Sequence, residues 1–484
     1  MNTPIRRVFS VVLVMFLALM VAGTVIQYGQ AASLNSDSRN VRALYREVRR
    51  DRGPIVVAGE AVAVSRPVED AFGSLRTYPQ GELMAHVTGY YSVVHGLTGL
   101  ERTENALLNG TSGSLLLERI QALFTGRQPA GGSAELTIDP EAQRAGLEAF
   151  GNQRGGAVAI DPSTGAILAL ISLPTFDPNL LASHDTRAVT TAFSDLTSDP
   201  HEPLQNRAIA GDLYPPGSTF KLVTTAALLE TGDYTPRTLV EAPDTYQLPG
   251  STAQLGNPGG ATCGSGTTVT LEFALQESCN TPFAMLAVEL GDDALRRQAE
   301  AFGFGQDLEI PLTATPSVFP ADPDPAQTAM SAIGQFDVRA TPLQMAMVSA
   351  AIGNGGSLMQ PYLVETTRGP DLAVLSQTQP RTLSQAISGA SAAQLRDMMV
   401  NVVQNGTGTR AQIPGVQVAG KTGTAQTSAG NPPHAWFTAF APATNPQVAV
   451  AVVVEDGGNL GGAATGSAVA APIARAIMEA VLDR

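Results

Sequence analysis

The chain has 484 residues, 44% hydrophobic and 15% charged, with a formal net charge of −14. Binding to phosphate backbones needs a basic face that so acidic a composition does not supply, so nucleic acid is excluded as a partner. The length allows two or three domains with large cores. The five histidines (His86, His95, His184, His201, His434) and two cysteines form no HExxH, CxxC or other ligand spacing, so neither metal nor cofactor is expected.

Arg6 and Arg7 precede Val8 to Ile26, a run free of charge and close to the ~20 residues that cross a bilayer. No charge follows until Asp37, so the positive-inside tendency leaves the N-terminus cytoplasmic and the rest of the chain outside the cell membrane. A cleaved signal peptide is the competing reading, with Gly29-Gln30-Ala31 as its small-residue site. The apolar run exceeds the ~7–15 residues of a signal core, which favours an uncleaved single-pass anchor over residues 1–31. Ala32 to Ser38 then reads as a polar linker and Asn40 to Asp51 as a charged, solvated segment. "RGPIVVAGEAVAVS" (52–65) has the pattern of strand, turn and strand. Residues 32–154 hold no convergent acid, base and nucleophile and are assigned to a supporting domain.

A second domain, 155–484, opens with "GGAVAIDPSTGAILALIS" (155–172), two apolar runs split by a Pro- and Gly-containing turn, hence a hairpin. Next comes "YPPGSTFKL" (214–222), and with it the first lysine. Of 29 basic residues only Lys221 and Lys421 are lysines. Compositional drift toward arginine would leave such a remnant. So would a need for an amine able to lose its proton, which arginine cannot do. The prolines end a loop and a helix begins near Ser218, so Ser218 and Lys221 share one face and can touch. A serine at a helix N-terminus also lies where backbone N–H groups favour developing negative charge. A neutral lysine within reach can take its proton, the Ser-Lys form of nucleophilic catalysis.

Further on, Cys263 and Cys279 lie in the exported part. They are either two free thiols or a disulfide closing a loop of about 15 residues, for which chain entropy suggests ~3 kcal/mol. "ESCNTP" supplies Ser278 and Asn280, able to relay a proton and hold an amide. Thr341-Pro342 caps a helix over "LQMAMVSAAIGNGG". "VQVAGKTGTAQ" (416–426), "AWFTAFA" (435–441) and "VAVAVVVE" (448–455) read as three strands. The first, an edge strand, carries Lys421, Thr422, Gly423 and Thr424. Lys421 and the hydroxyls suit a carboxylate, and Gly423 would let a substrate backbone approach closely. Gly466 to Leu482 is a closing helix that Pro472 would break or kink. The sum is an α+β fold in which a mainly antiparallel five-stranded sheet stands beside a helical lobe, with a ligand cleft between them.

SxxK, SxN and KTG in this order are the set shared by class A β-lactamases and penicillin-binding proteins. The chain resembles that penicilloyl-serine transferase family. "NRAIAGDLYPPGSTFK" (206–221), "GQFDVRATPLQMA" (334–346) and "GKTGTAQ" (420–426) are similar to its transpeptidase domain, and "RGPIVVAGEAVAVS" to the start of the class B pedestal. The short stretch between anchor and second domain has no room for a glycosyltransferase domain, which points to the compact class B type, penicillin-binding protein A. The resemblance implies a serine-type D,D-transpeptidase of the cell wall with peptidoglycan stem peptides and lipid-linked precursors as substrates, β-lactams as inhibitors and division-complex proteins among its partners. It implies Ser218 as nucleophile, Lys221 as base, Ser278 and Lys421 as proton couriers and Asn280 as a peptide clamp. Thr422 and Thr424 would be the carboxylate contacts, with the N–H groups of Ser218 and Thr424 as the oxyanion hole. A D,D-carboxypeptidase, or a β-lactam sensor or scaffold, carries the same motifs. Cys279 inside SxN departs from the pattern. Paired with Cys263, it would stiffen the cleft wall.

Overall fold

The computed structural model describes residues 2–29, 51–115, 130–211, 213–308, 310–427 and 430–483. The linker and the charged segment expected between residues 32 and 50 lie outside them. Helix α1 (Asn2–Thr24) continues as a single wide turn, Val25–Gly29. Its apolar side chains are exposed. Phe9, Phe16 and Met20 are each more than 60% exposed, and Pro4–Tyr28 is long and apolar enough to cross a membrane. Such a surface needs hydrocarbon around it rather than water.

The N-terminal domain is built on a six-stranded sheet. Ile55–Val57 and Glu60–Pro67 form the expected hairpin, closed by Ala58 and Gly59, both at positive φ (48° and 81°), which is the two-residue turn that matches strand twist. Ser74–Thr77 extends it on one side and Ser133–Leu136 on the other, the latter by its single parallel pairing. The outer two strands, Val364–Arg368 and Val374–Gln377, come from much later in the chain. Under this sheet Glu101 is fully buried between two guanidinium groups, Arg52 Nε and Arg76 Nε, each 2.6 Å from one carboxylate oxygen. The Tyr78 hydroxyl donates to Glu101 at 3.2 Å.

The larger domain centres on five antiparallel strands, β1 (Gly155–Ile160), β2 (Ile167–Leu173), β3 (Ala419–Ala425), β4 (His434–Ala441) and β5 (Val448–Val454), in the order β3-β4-β5-β1-β2. Its helices include α2 (Pro140–Phe150), α3 (Lys221–Glu230), α4 (Pro342–Gly353) and α5 (Ala471–Leu482). Alternation of side chains splits the sheet between two cores. Val158, Ile160, Ala449, Ala451 and Val453 face α4 and the helical lobe, whereas Ala157, Ala159, Val450 and Val452 face α2 and α5. Both faces of β5 are therefore covered, which explains its unbroken apolar run. In the lobe α3 is enclosed on every side, Leu222 to Leu229 all being buried.

Helix α2, on the N-terminal side of the boundary expected at residue 154, lies on the five-stranded sheet, where Ala142 and Phe150 pack into the core with Ile473 and Ile477. Residues 364–377, on the far side of that boundary, complete the N-terminal sheet instead. Pro472 does not break the closing helix. A wide turn, Gly466–Ala470, leads into α5, and Pro472 falls in the first turn of α5, where an N–H has no intrahelical partner to lose.

Burial alone would raise the Glu101 pKa, but Arg76 and Arg52 outweigh it and hold the carboxyl below its ordinary value. Its contribution to stability is present above the unfolded pKa and is lost as pH falls through the folded one. Glu101→Gln leaves two buried guanidinium groups without a counter-charge, and a loss of about 3–5 kcal/mol is expected from breaking such a pair. Urea unfolding followed by far-ultraviolet circular dichroism should show an earlier first transition. An unchanged midpoint would contradict the assignment of this triad as the anchor of the N-terminal sheet.

Candidate active site

The turn carrying Ser218 is fixed from three directions before α3 begins. Tyr214 and Ala340 exchange backbone hydrogen bonds at 3.1 and 2.8 Å, and Gly217 N donates to Gly334 O at 2.9 Å. The indole N–H of Trp436, the only tryptophan of the chain, donates to Pro215 O at 3.0 Å. Gly217 to Phe220 then form a tight turn, with Gly217 at φ 54°. Strand β3 lies directly against it. A Cβ on Gly423 would sit 3.0 Å from Pro216 O, Thr219 Cγ2 and Trp436 Cβ. The close approach expected at Gly423 for a substrate backbone is thus taken up by the protein's own serine turn. That contact brings the lysine-bearing edge strand beside Ser218.

The third wall follows the short helix Leu271–Gln276. Ser278 is buried and held at φ 61°, an uncommon conformation for a residue with a Cβ. Cys279 is bonded to Cys263, with Cα atoms 5.9 Å apart, so neither is a free thiol. Asn257 Oδ1 accepts hydrogen bonds from Asn280 N at 2.8 Å and Thr281 N at 3.1 Å. Asn280 Nδ2 donates to Gly256 O at 2.9 Å, which leaves Asn280 Oδ1 turned to the lysine.

Lys221 and Lys421 meet at this wall. Lys221 Nζ donates to Ser278 O at 2.7 Å and Asn280 Oδ1 at 2.8 Å, with Ser278 Oγ farther off at 3.4 Å. Lys421 Nζ donates to Ser278 Oγ at 2.8 Å and Thr422 O at 3.0 Å. The Thr422 hydroxyl pairs with that of Thr407 at 2.7 Å, and Thr424 is exposed on the edge strand. Among the described residues Ser218 Oγ makes no hydrogen bond, so the direct contact with Lys221 expected from the sequence is not made in this geometry. The SxN acceptors occupy the amine instead.

Both lysines are completely buried, and among the described residues neither forms an ion pair. Burial, reinforced by the neighbouring Lys421, pushes the Lys221 amine well below the usual lysine range. Burial lowers Lys421 to about 7, against the opposing pull of Glu277. The site therefore holds two amines that release their protons far more readily than a surface lysine. Asn257 and Thr407 were not singled out in the sequence. Each lies in a Gly-rich turn, "GNPGG" and "NGTGT", whose composition marks a loop but not what it reaches.

Residues 155–479 match the penicillin binding protein transpeptidase domain, and residues 52–134 the penicillin binding protein A dimerisation domain. The chain is 48% identical to the peptidoglycan D,D-transpeptidase PbpA of Mycolicibacterium smegmatis, over 100% of this chain and 99% of that one. It is 46% identical to PbpA of Mycobacterium tuberculosis over the same shares. The fold superposes on penicillin-binding protein A from M. tuberculosis in its ceftriaxone acyl-enzyme complex, with a TM-score of 0.88 and 46% identity over 90% of this chain and 100% of that chain. The penicillin G acyl-enzyme complex of the same protein gives a TM-score of 0.85 and 47% identity over 90% and 100%. With the transpeptidase domain spanning most of its length behind a penicillin-binding protein A dimerisation domain, the chain belongs to the penicillin-binding proteins, in their class B branch.

Proposed function

We propose that this protein is a β-lactam-inhibited peptidoglycan D,D-transpeptidase that works through an acyl-enzyme on Ser218. The helix α1 would hold it in the cell membrane with its N-terminus in the cytoplasm and its cleft facing the wall. Stem peptides, lipid-linked precursors and division proteins would be its partners there. The observation that carries the reading is the Lys221 amine, fully buried one turn from Ser218 with no carboxylate among the described residues to hold its proton.

A neutral amine has two N–H groups, and Ser278 O and Asn280 Oδ1 accept both, at 2.7 and 2.8 Å. Its lone pair is then the remaining function, free to receive the Ser218 proton. Hydrogen bonds at such a base are often completed only when substrate binds. Ser218 Oγ would attack the carbonyl between the two terminal D-alanines as its proton passes to Lys221. The oxyanion would sit on the N–H groups of Ser218 and Thr424. As the C–N bond breaks, Ser278 would hand its proton to the leaving D-alanine amine and recover one from the lysines. The amine of a neighbouring stem would then attack the ester, lose a proton to the same base and release Ser218. Asn280 would hold the peptide, and Thr422 and Thr424 its carboxylate. In a β-lactam the leaving nitrogen stays tethered, so the ester persists.

A fluorescent penicillin should label the full-length protein in detergent. Ser218→Ala should abolish labelling, and Lys221→Arg, which keeps the charge but cannot give it up, should slow it at least ~100-fold, the lower range for losing a general base. Labelling that persists in Ser218→Ala would reject the acyl-enzyme. Reaction with defined stem peptides should yield cross-linked dimer, and trimmed tetrapeptide alone would mean a carboxypeptidase.

The acylation rate should also be bell-shaped in pH. It rises as Lys221 sheds its proton and becomes a base, then falls as Lys421 loses its own at about 7 and ceases to attract the carboxylate. The two limbs belong to the coupled pair. Stopped-flow rates across pH should show the alkaline fall vanish in Lys421→Arg. A fall that survives in that variant would assign it elsewhere.

A further inference from the structure

We propose that Thr407 is a positioning residue for carboxylate recognition, acting through the hydroxyl of Thr422. The inference rests on the reading of Thr422 as a carboxylate contact. Thr407 follows the helix Gly389–Asn405 and belongs to none of the three motifs. Its backbone N–H donates to Gln276 O at 3.3 Å. Gln276 is two residues before Ser278, and its side chain is held by Asn401 Nδ2 at 2.8 Å. Gly406 lies so close that a Cβ there would come within 2.5 Å of Gln276 O. The main chain at Thr407 is thus fastened to the base of the SxN wall, while its hydroxyl reaches the KTG strand at 2.7 Å. It bridges the two walls.

The proton count gives the bridge a direction. Among the described residues each of these hydroxyls has only the other as partner. A hydroxyl offers one proton and two acceptor sites. Between Thr407 and Thr422 one proton is shared and the other is left over on whichever oxygen accepts. A carboxylate can only accept, so when it arrives Thr422 must donate to it. Thr407 must then donate to Thr422. The order carboxylate, Thr422, Thr407 is the single arrangement that satisfies all three, and each bond polarises the next. Thr422 is buried, 7% exposed. Without Thr407 its oxygen would lose its donor and its hydroxyl would turn freely.

The test compares benzylpenicillin with its carboxyl methyl ester on the full-length protein, resolving the dissociation constant from the acylation rate constant by stopped flow. Thr407→Val should weaken binding of the acid roughly three- to tenfold, the range of one hydrogen bond, with the acylation rate constant within about twofold. Thr407→Ser should restore it. The ester should bind wild type and Thr407→Val alike, which a general loosening of the cleft would not produce. Equal weakening of acid and ester would overturn the inference, as would no weakening of the acid. Thr407→Ala serves in the same comparison should the valine variant fail to fold. If wild type itself does not distinguish acid from ester, the carboxylate reading of Thr422 falls. If wild type distinguishes them and Thr407→Val does so equally, only the role of Thr407 falls.

Discussion

Two lysine amines are enclosed in this protein without a carboxylate bonded to either among the described residues, and they meet at the two ends of one serine. Lys421 reaches the Ser278 hydroxyl at 2.8 Å and Lys221 the Ser278 carbonyl at 2.7 Å. Burying one unpaired ammonium is costly, and two side by side more so. The arrangement is tolerable because the amines can shed protons and because neutral oxygens accept the N–H groups that remain. Were either lysine paired with a buried carboxylate, it would be locked as a cation and useless as a base. The fold therefore supplies carbonyl, amide and hydroxyl acceptors at this point and, among the described residues, no buried acid. Elsewhere it does the opposite. Glu101 is buried between two arginines, and Glu455 receives both Arg207 Nε at 2.8 Å and the Tyr214 hydroxyl at 2.6 Å. Arginines serve where a fixed charge holds structure, and the two lysines stand where an enclosed amine can release its proton.

Holding that arrangement requires three segments far apart in the chain to converge within hydrogen-bonding distance. The edge strand β3 supplies a straight rail for Lys421, stiffened by seven register pairs with β4. The serine turn is pressed against that rail through Gly217 and Gly423, where any side chain would force the two backbones apart. Trp436 of β4 locks the contact, since its ring meets that of Tyr214 edge-on and its N–H fixes Pro215. The SxN wall is then placed by Asn257, whose one oxygen gathers the N–H groups of Asn280 and Thr281. Each fastening is a hydrogen bond to the backbone or a close backbone contact. Such devices hold position to a fraction of an ångström, as a preorganised site needs.

Much of this was legible in the sequence because local rules governed it. Both hairpins, the strands of the central sheet and the capped start of α4 followed from alternation, turn residues and N-cap chemistry. The scarcity of lysine drew attention to Lys221 and Lys421, which the structure buries completely. What stayed hidden depended on distant partners. Val364–Arg368 has no local mark of belonging to the N-terminal sheet, since its pairing with Ser133–Leu136 is a property of the fold. Phe150 is apolar in a short amphipathic helix, and nothing nearby says which core it enters. Helical spacing brought Ser218 and Lys221 to one face, yet the amine swung to Asn280 and Ser278, because a long side chain follows the strongest acceptors within reach. Thr407 is an ordinary threonine in a loop until Thr422 is placed opposite it.

The alternation within SxN explains why a cysteine can occupy its centre. Ser278 Oγ and Asn280 Oδ1 both turn toward the lysines, at 2.8 Å from Lys421 and 2.8 Å from Lys221 respectively. The residue between them must then point away from the cleft. Cys279 does so, entering the core with Cys263, Leu271 and Phe283. Its bond to Cys263 ties the wall from behind without presenting sulfur to the reacting groups. The next residue, Thr281, donates its hydroxyl to Pro243 O at 2.7 Å, so the backbone is fastened on both sides of Asn280. A motif with one free position can thus carry chemistry on one face and a covalent fastening on the other. The positive φ of Ser278 is what lets the chain leave the preceding helix and present these two faces in so few residues.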